Sequence, residues 1–253
     1  MVAVVVTSAI QFSFSESTQT FKLVHENTIE LPKGTHRPEV LVTDDGEVVI
    51  AVVEPMGKPG EGQVKHRAYR FDSQLREIGT PFTLTQTQEP WGEPADHRAA
   101  MHGNDLIVVY QSLNYVKGGT PFRRGGPSED DATDQSLLLA IFDLEGNELL
   151  RQPIVANATN FYVDNFPDHC LLLEGDTLLV STGTRGGMLT STLPTVAVRE
   201  VNLSGNVEAE HRLPVVSNNI QGSIGNSMLR VDDKLMMVSG KPTVGAGINL
   251  SQI

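Results

Sequence analysis

Residues 37–54, RPEVLVTDDGEVVIAVVE, followed at 69–84 by YRFDSQLREIGTPFTL, hold the pattern that decides the fold. The first stretch is two apolar runs split by Asp44-Asp45-Gly46, residues that tolerate the positive φ of a tight turn, so it reads as a β-hairpin. The second stretch is another strand pair, turned at Asp72. The same unit recurs as AAMHGNDLIVVYQS (99–112) with AIFDLEGNELLRQPIV (140–155), and as CLLLEGDTLLVSTG (170–183) with REVNLSGNVEAEHRLP (199–214). SMLRVDDKLMMVSG (227–240) begins a further copy. With Glu39, His97, Asp168 and Asn226 as first-strand markers the steps are 58, 71 and 58 residues. A second ruler, Ser15, Asp72, Asp143 and Asn202, steps by 57, 71 and 59, and an insertion between Ser112 and Gln135 accounts for the long step. Four short strands per repeat, with no capped helix-period segment, predict an all-β chain, a β-propeller of four-stranded antiparallel blades.

The repeat phase runs through residues 1–253 without a linker, so the reading is one propeller domain. Residues 9–31 read as strands three and four of a blade, and 222–245 as strands one and two. Pairing the two ends gives four blades closed by N- and C-terminal strands and removes the exposed edge. A strand at Val2–Thr7 favours the alternative of five or more blades, with the chain a fragment.

The formal charge of −12, from 31 acidic and 19 basic residues, opposes binding to nucleic-acid phosphates and anionic lipids. No apolar stretch approaches the roughly 20 residues of a membrane span, so neither nucleic acid nor membrane insertion is expected. Cys170 is the sole cysteine and reads as a small buried side chain. The apolar opening MVAVVV lacks a preceding basic residue. Export therefore stays open, with an extracellular or periplasmic setting favoured. The acidic run Glu129–Asp134 lacks a calcium-loop pattern, Thr184–Gly187 lacks phosphate-loop spacing, and no nucleophile elbow is present. No metal and no cofactor are expected.

In a propeller, the loops entering the innermost strands share one face with those joining strands two and three. Here those loops carry Trp91, Tyr115 and Tyr162, aromatic surfaces suited to stacking on a sugar ring or a partner side chain. First-strand starts add Arg37, Glu39, Asp96, His97, Arg98 and Asp168 to the same face. Carboxylates, guanidinium groups and an imidazole converging on an axial depression are the makings of a small-molecule site, with Arg37–Glu39 and Asp96–Arg98 as local ion pairs the plainer reading.

The RPEVLVTDDGEVVIAVVE and YRFDSQLREIGTPFTL pattern resembles the degenerate propeller repeats of secreted or surface bacterial proteins, and more distantly sialidase-like propellers. It is also similar to five-bladed glycosidases that draw a carboxylate from each of several early blades. That resemblance implies Glu39, Asp96 and Asp168 as the acid trio of a hydrolase, since glycoside hydrolysis needs one carboxylic acid and one carboxylate about 5–9.5 Å apart. Three functions are carried forward. First stands a non-catalytic propeller binding a glycan or protein at its axial face through Arg37, His97, Arg98, Trp91, Tyr115 and Tyr162. A carbohydrate-active hydrolase is the alternative, and a structural interaction module the third.

Overall fold

The computed structural model describes residues 3–6, 27–56, 63–88, 97–115, 133–158, 165–183, 195–214, 225–231, 234–240 and 248–252. Among them every regular element is a β-strand. A two-stranded sheet joins β1 (Ala3–Val6) and β2 (Asn27–Glu30). Blade 1 is the meander β3 (His36–Val42), β4 (Val48–Met56), β5 (Gln63–Phe71) and β6 (Phe82–Gln88). Blade 2 repeats it with β7 (His97–His102), β8 (Asp105–Tyr115), β9 (Thr133–Phe142) and β10 (Glu148–Ala158). Blade 3 comprises β11 (Asn165–Glu174), β12 (Thr177–Gly183), β13 (Thr195–Asn202) and β14 (Val207–Pro214). A last sheet holds β15 (Gly225–Val231), β16 (Lys234–Gly240) and β17 (Ile248–Gln252). All pairs are antiparallel, and the first strands β3, β7, β11 and β15 lie side by side in that order, which is the propeller arrangement expected from the repeats.

The second ruler marks equivalent turns. Asp72, Asp143 and Asn202 each donate a backbone N–H to the carbonyl four residues on and accept that residue's N–H at Oδ1, from Arg76, Asn147 and Asn206 respectively. The first ruler is out of register. Ala51, Val109 and Ser181 occupy one level, since their third-strand partners Ala68, Leu139 and Val198 each stand four residues before a turn anchor. On the first strands these face Glu39, Arg98 and Cys170. Glu39, Arg98 and Cys170 are therefore equivalent, rather than Glu39, His97 and Asp168. Register shifts between His36 and Glu39, and between Asn165 and Cys170, change the count without leaving a mark in composition.

The ends also depart from the sequence reading. β17 pairs with β16 as a third strand where two were expected. β1 pairs with β2, and residues 9–26 of the expected strand pair lie outside the described residues. The two terminal sheets together hold five strands, one more than a single blade uses. No pairing joins them among the described residues.

Second strands are the core of each blade. Residues 48–54 of β4 are buried throughout, and a strand covered on both faces reads as a continuous apolar run rather than an alternating one. Val49 and Ala51 pack on Leu106, Val108 and Tyr110 between blades 1 and 2. Ile107, Val109 and Leu137 pack on Leu178, Val180 and Val201 between blades 2 and 3. Ile29 and Leu31 cover Val48, Ile50 and Val52 on the outer side of blade 1. Each such valine, leucine or isoleucine contributes roughly 1.5–3 kcal/mol when fully buried.

Arginines strap the blades together. Arg70 donates to the Leu144 carbonyl at 2.8 Å and pairs with Glu47 at 2.7 Å. Arg151 reaches back to the Leu84 carbonyl at 3.0 Å and to the Tyr110 hydroxyl. Close approach at the same junction explains one glycine. Gly146 has φ +88°, and a Cβ there would stand 2.7 Å from Cγ of Phe82, whereas Gly46 at φ +87° has open space around it. Gly146→Ala is expected to cost about 2–4 kcal/mol, from backbone strain plus overpacking, and Gly46→Ala only the strain, about 1–2 kcal/mol. Urea unfolding of the two variants side by side checks this, and equal losses would contradict the junction geometry.

Candidate functional site

The starts of the first strands build the candidate site. Glu39 on β3 and Arg98 on β7 hold equivalent positions in adjacent blades, and Nη1 of Arg98 lies 3.0 Å from Oε1 of Glu39. Both side chains are about three-tenths exposed, at 28% and 29%. The sequence suggested local ion pairs at blade junctions, Arg37 with Glu39 and Asp96 with Arg98. In the described pair the Arg98 guanidinium crosses from one blade to the next, and Asp96 lies outside the described residues.

Arg37 sits in the register shift of β3 with φ +52° and an exposed side chain, immediately before Pro38. A non-glycine residue in the left-handed region costs on the order of 1–3 kcal/mol, and such strain gathers at functional positions.

His97 follows the opposite face of β7 from Arg98, because successive strand residues alternate. It is fully buried in the junction between blades 1 and 2. Its Nδ1 lies 2.8 Å from Nδ1 of His66 on β5, so one ring donates there and the other accepts. The ring centroids are 5.0 Å apart at 63°, and His66 also packs on Tyr110 with centroids 5.8 Å apart. His169 bonds the Val109 carbonyl at 2.9 Å from Nε2. Through His66, His97 ties β7 to β5 of blade 1, and His169 ties β11 to β8, the second strand of blade 2. Burial, then the nearby His169 and His36, push the His66 ring down to about 3. His97 is held well below the ordinary imidazole range by burial, then by His66 and His169. Both rings are neutral at physiological pH.

Cys170 takes the Glu39 level in blade 3. It is buried with Sγ 3.1 Å from Oγ of Ser181, and burial raises its thiol pKa, which suits an inert packing residue.

Asp168 lies in β11 directly before His169, as Asp96 lies directly before His97. Its side chain and that of Tyr115, at the end of β8, lie outside the described residues, as do Trp91, Asp96 and Tyr162 entirely. The described geometry thus joins Glu39 to Arg98 and sets His97 apart, in the junction with His66. The repeated Asp-His dipeptide at 96–97 and 168–169 was the sequence signal for the buried histidine layer.

A second polar cluster went unnoticed in the sequence. Glu54, only 5% exposed on β4, accepts a hydrogen bond from the Tyr69 hydroxyl, with Nζ of Lys65 3.5 Å and Nη1 of Arg67 3.6 Å from its Oε2. Burial and then the Glu54 contact raise the Tyr69 pKa, so the phenol is a donor and not a nucleophile. A carboxylate at the end of an apolar run and just before Pro55 was its only trace.

Among the described residues no three histidine, cysteine or carboxylate groups gather to hold a metal ion, and no helix is long and apolar enough to cross a membrane.

No family model matches the chain, and no curated protein matches it. Solved structures do. An α-L-arabinanase of Penicillium chrysogenum, complexed with arabinobiose, superposes with a TM-score of 0.58 at 12% identity, over 89% of this chain and 65% of that one. An α-L-arabinofuranosidase of Fusarium graminearum, complexed with an iminosugar inhibitor, gives 0.52 at 12% identity, over 92% and 81%. An α-L-arabinofuranosidase of Lactobacillus brevis gives 0.50 at 10% identity, over 85% and 66%. The chain spans about two thirds of the length of the arabinanase and of the Lactobacillus enzyme. At these identities the likeness establishes the fold.

Proposed function

We propose that this chain is a carbohydrate-active propeller and that it hydrolyses glycosides, with Glu39, Asp96 and Asp168 as its carboxylates. The observation that carries the reading is the Glu39–Arg98 pair, a partly exposed carboxylate held by a guanidinium across two blades at the first-strand starts. A fold alone does not fix a function, but the similar structures, an arabinanase and two arabinofuranosidases, support a glycan substrate over a protein ligand.

Hydrolysis needs two carboxyl groups in different protonation states. Arg98 beside Glu39 suits that residue to the charged role, attacking the anomeric carbon or activating water. Asp168 or Asp96, each directly before a buried histidine in the chain, takes the acid role and protonates the leaving oxygen. Arg37 and the aromatic rings of Trp91, Tyr115 and Tyr162 hold the sugar, while His97 acts from within the blade junction by fixing the strand that carries Arg98.

The test is release of reducing sugar from arabinan and of nitrophenol from a panel of nitrophenyl pentofuranosides and hexopyranosides, run beside a glycan array. Turnover of at least one pentofuranoside supports the hydrolase. Array binding without turnover returns the chain to a non-catalytic glycan-binding propeller, and neither response leaves it a structural interaction module.

A further inference from the structure

On the face of the short turns, opposite the candidate site, a cavity of about 340 Å³ opens between blades 2 and 3. Ile107, Ile141, Leu150 and Leu203 form its apolar wall, with Asp105 and Ser204 at the rim. Leu149 also lines it and is 55% exposed, turned outward by the register shift between Glu148 and Leu150. His102 at the rim bonds Asp176 at 2.9 Å.

The neighbouring junction shows what fills such a place. Arg70 faces Val49 across blade 1, and Ile141 faces Ile107 at the same level of blade 2. Glu47 and Asp105 each precede a second-strand residue that pairs with the last third-strand residue, Val48 with Phe71 and Leu106 with Phe142. Leu144 and Leu203 each follow a turn anchor. Between blades 1 and 2 the Arg70 guanidinium bridges the Glu47 carboxylate and the Leu144 carbonyl. Between blades 2 and 3 the corresponding carboxylate and turn residue, Asp105 and Leu203, are present, but the arginine is replaced by Ile141. Among the described residues no cation pairs with Asp105. The turns dock alike at both junctions, Gly146 against Phe82 and Gly205 against Gln152, so the two places share a shape.

We infer that this cavity is a docking site for an arginine side chain of a partner protein. The guanidinium takes the place that Arg70 fills next door, on Asp105 and the Leu203 carbonyl, while its methylene stem and an adjoining apolar residue lie on Ile141, Leu149 and Leu150. Charge complementarity with a chain of net charge −12 favours a basic partner segment.

The probe is the tripeptide acetyl-Leu-Arg-Leu-amide, titrated into the 15N-labelled protein and followed by amide chemical shifts. Saturable shifts at Asp105, Leu149 and Ser204 are expected, at least about fivefold weaker with lysine in place of arginine and lost with citrulline. Asp105→Asn should weaken binding by about tenfold or more. Ile141→Arg, which rebuilds the Arg70 arrangement from within the chain, should fold normally and block the peptide. Absence of saturable shifts, equal response to the citrulline peptide, or undiminished binding in Asp105→Asn overturns the proposal. Equally tight binding of free L-arginine also overturns it, marking a small-molecule pocket instead, and an unfolded Ile141→Arg overturns the equivalence on which it stands.

Discussion

Asp168→Asn is expected to lower kcat by about a thousandfold or more while the melting temperature stays within a few degrees of the parent chain. The change removes the proton and the charge of a carboxyl group but keeps its size, so the effect falls on chemistry rather than packing. Glu39→Gln should behave similarly in turnover but with one added consequence. Its Arg98 partner would lose the opposite charge across the blade 1–blade 2 contact, at a cost near the upper end for a part-exposed ion pair, about 1 kcal/mol. Arg98→Met separates the two roles, since it keeps the carboxylate and removes only the group that holds it. Initial rates on the best substrate of the panel, with thermal melting and sugar affinity measured in parallel, make the comparison. Loss of affinity in all three variants with no turnover in the parent would assign these residues to binding alone. Turnover within about threefold of the parent in Asp168→Asn would remove that residue from the chemistry.

The blade pattern was readable because each strand obeys a local rule. Turn anchors such as Asp143 and Asn202 close the same hydrogen-bonded loop wherever they fall, and β4 and β8 announce themselves as buried apolar runs. Register was not readable, because a β-bulge adds a residue without altering the types around it. The shifts at His36–Glu39 and Asn165–Cys170 moved Glu39 into line with Arg98 and put Cys170 at the third position. With that slip went the face of each side chain, which is how His97 passed for an axial ligand group when its ring belongs to the blade junction. Cross-blade partners were equally hidden. Arg98 and Glu39 are 59 residues apart in the chain, and Arg70 and Leu144 are 74, distances at which no sequence window reports a contact. The third strand of the last sheet was missed because INLSQ, residues 248–252, is only five residues long, with no turn anchor beside it.

The buried histidine layer makes the fold acid-labile, and the expected loss is large. In the unfolded chain His66 titrates near 6.5, whereas in the folded chain burial holds it near 3, so the unfolded state alone takes up the proton between those values. Stability is therefore complete above about pH 6.5 and falls as the pH drops toward 3, at about 1.4 kcal/mol per pH unit for each such ring. His66 by itself accounts for a loss on the order of 5 kcal/mol over that window. His97 shifts in the same direction, so both rings act together through the upper part of the window and the slope there is roughly doubled. Protonation would also break the pair itself, because two imidazolium rings have no acceptor to offer across the 2.8 Å Nδ1–Nδ1 contact. Urea unfolding at pH 7.5, 6.5, 5.5 and 4.5 should show the steepening, and His66→Gln, though less stable at neutral pH, should show a slope shallower by about one proton. An unchanged slope in His66→Gln would mean that the acid sensitivity lies in carboxylates such as Glu174, whose pair with Arg230 holds it below the usual carboxylate range. A carboxylate with a lowered pKa, such as Glu174, releases its stability only below the ordinary carboxylate range of about 4 to 5, the histidines already from 6.5, so the upper half of the titration separates the two sources.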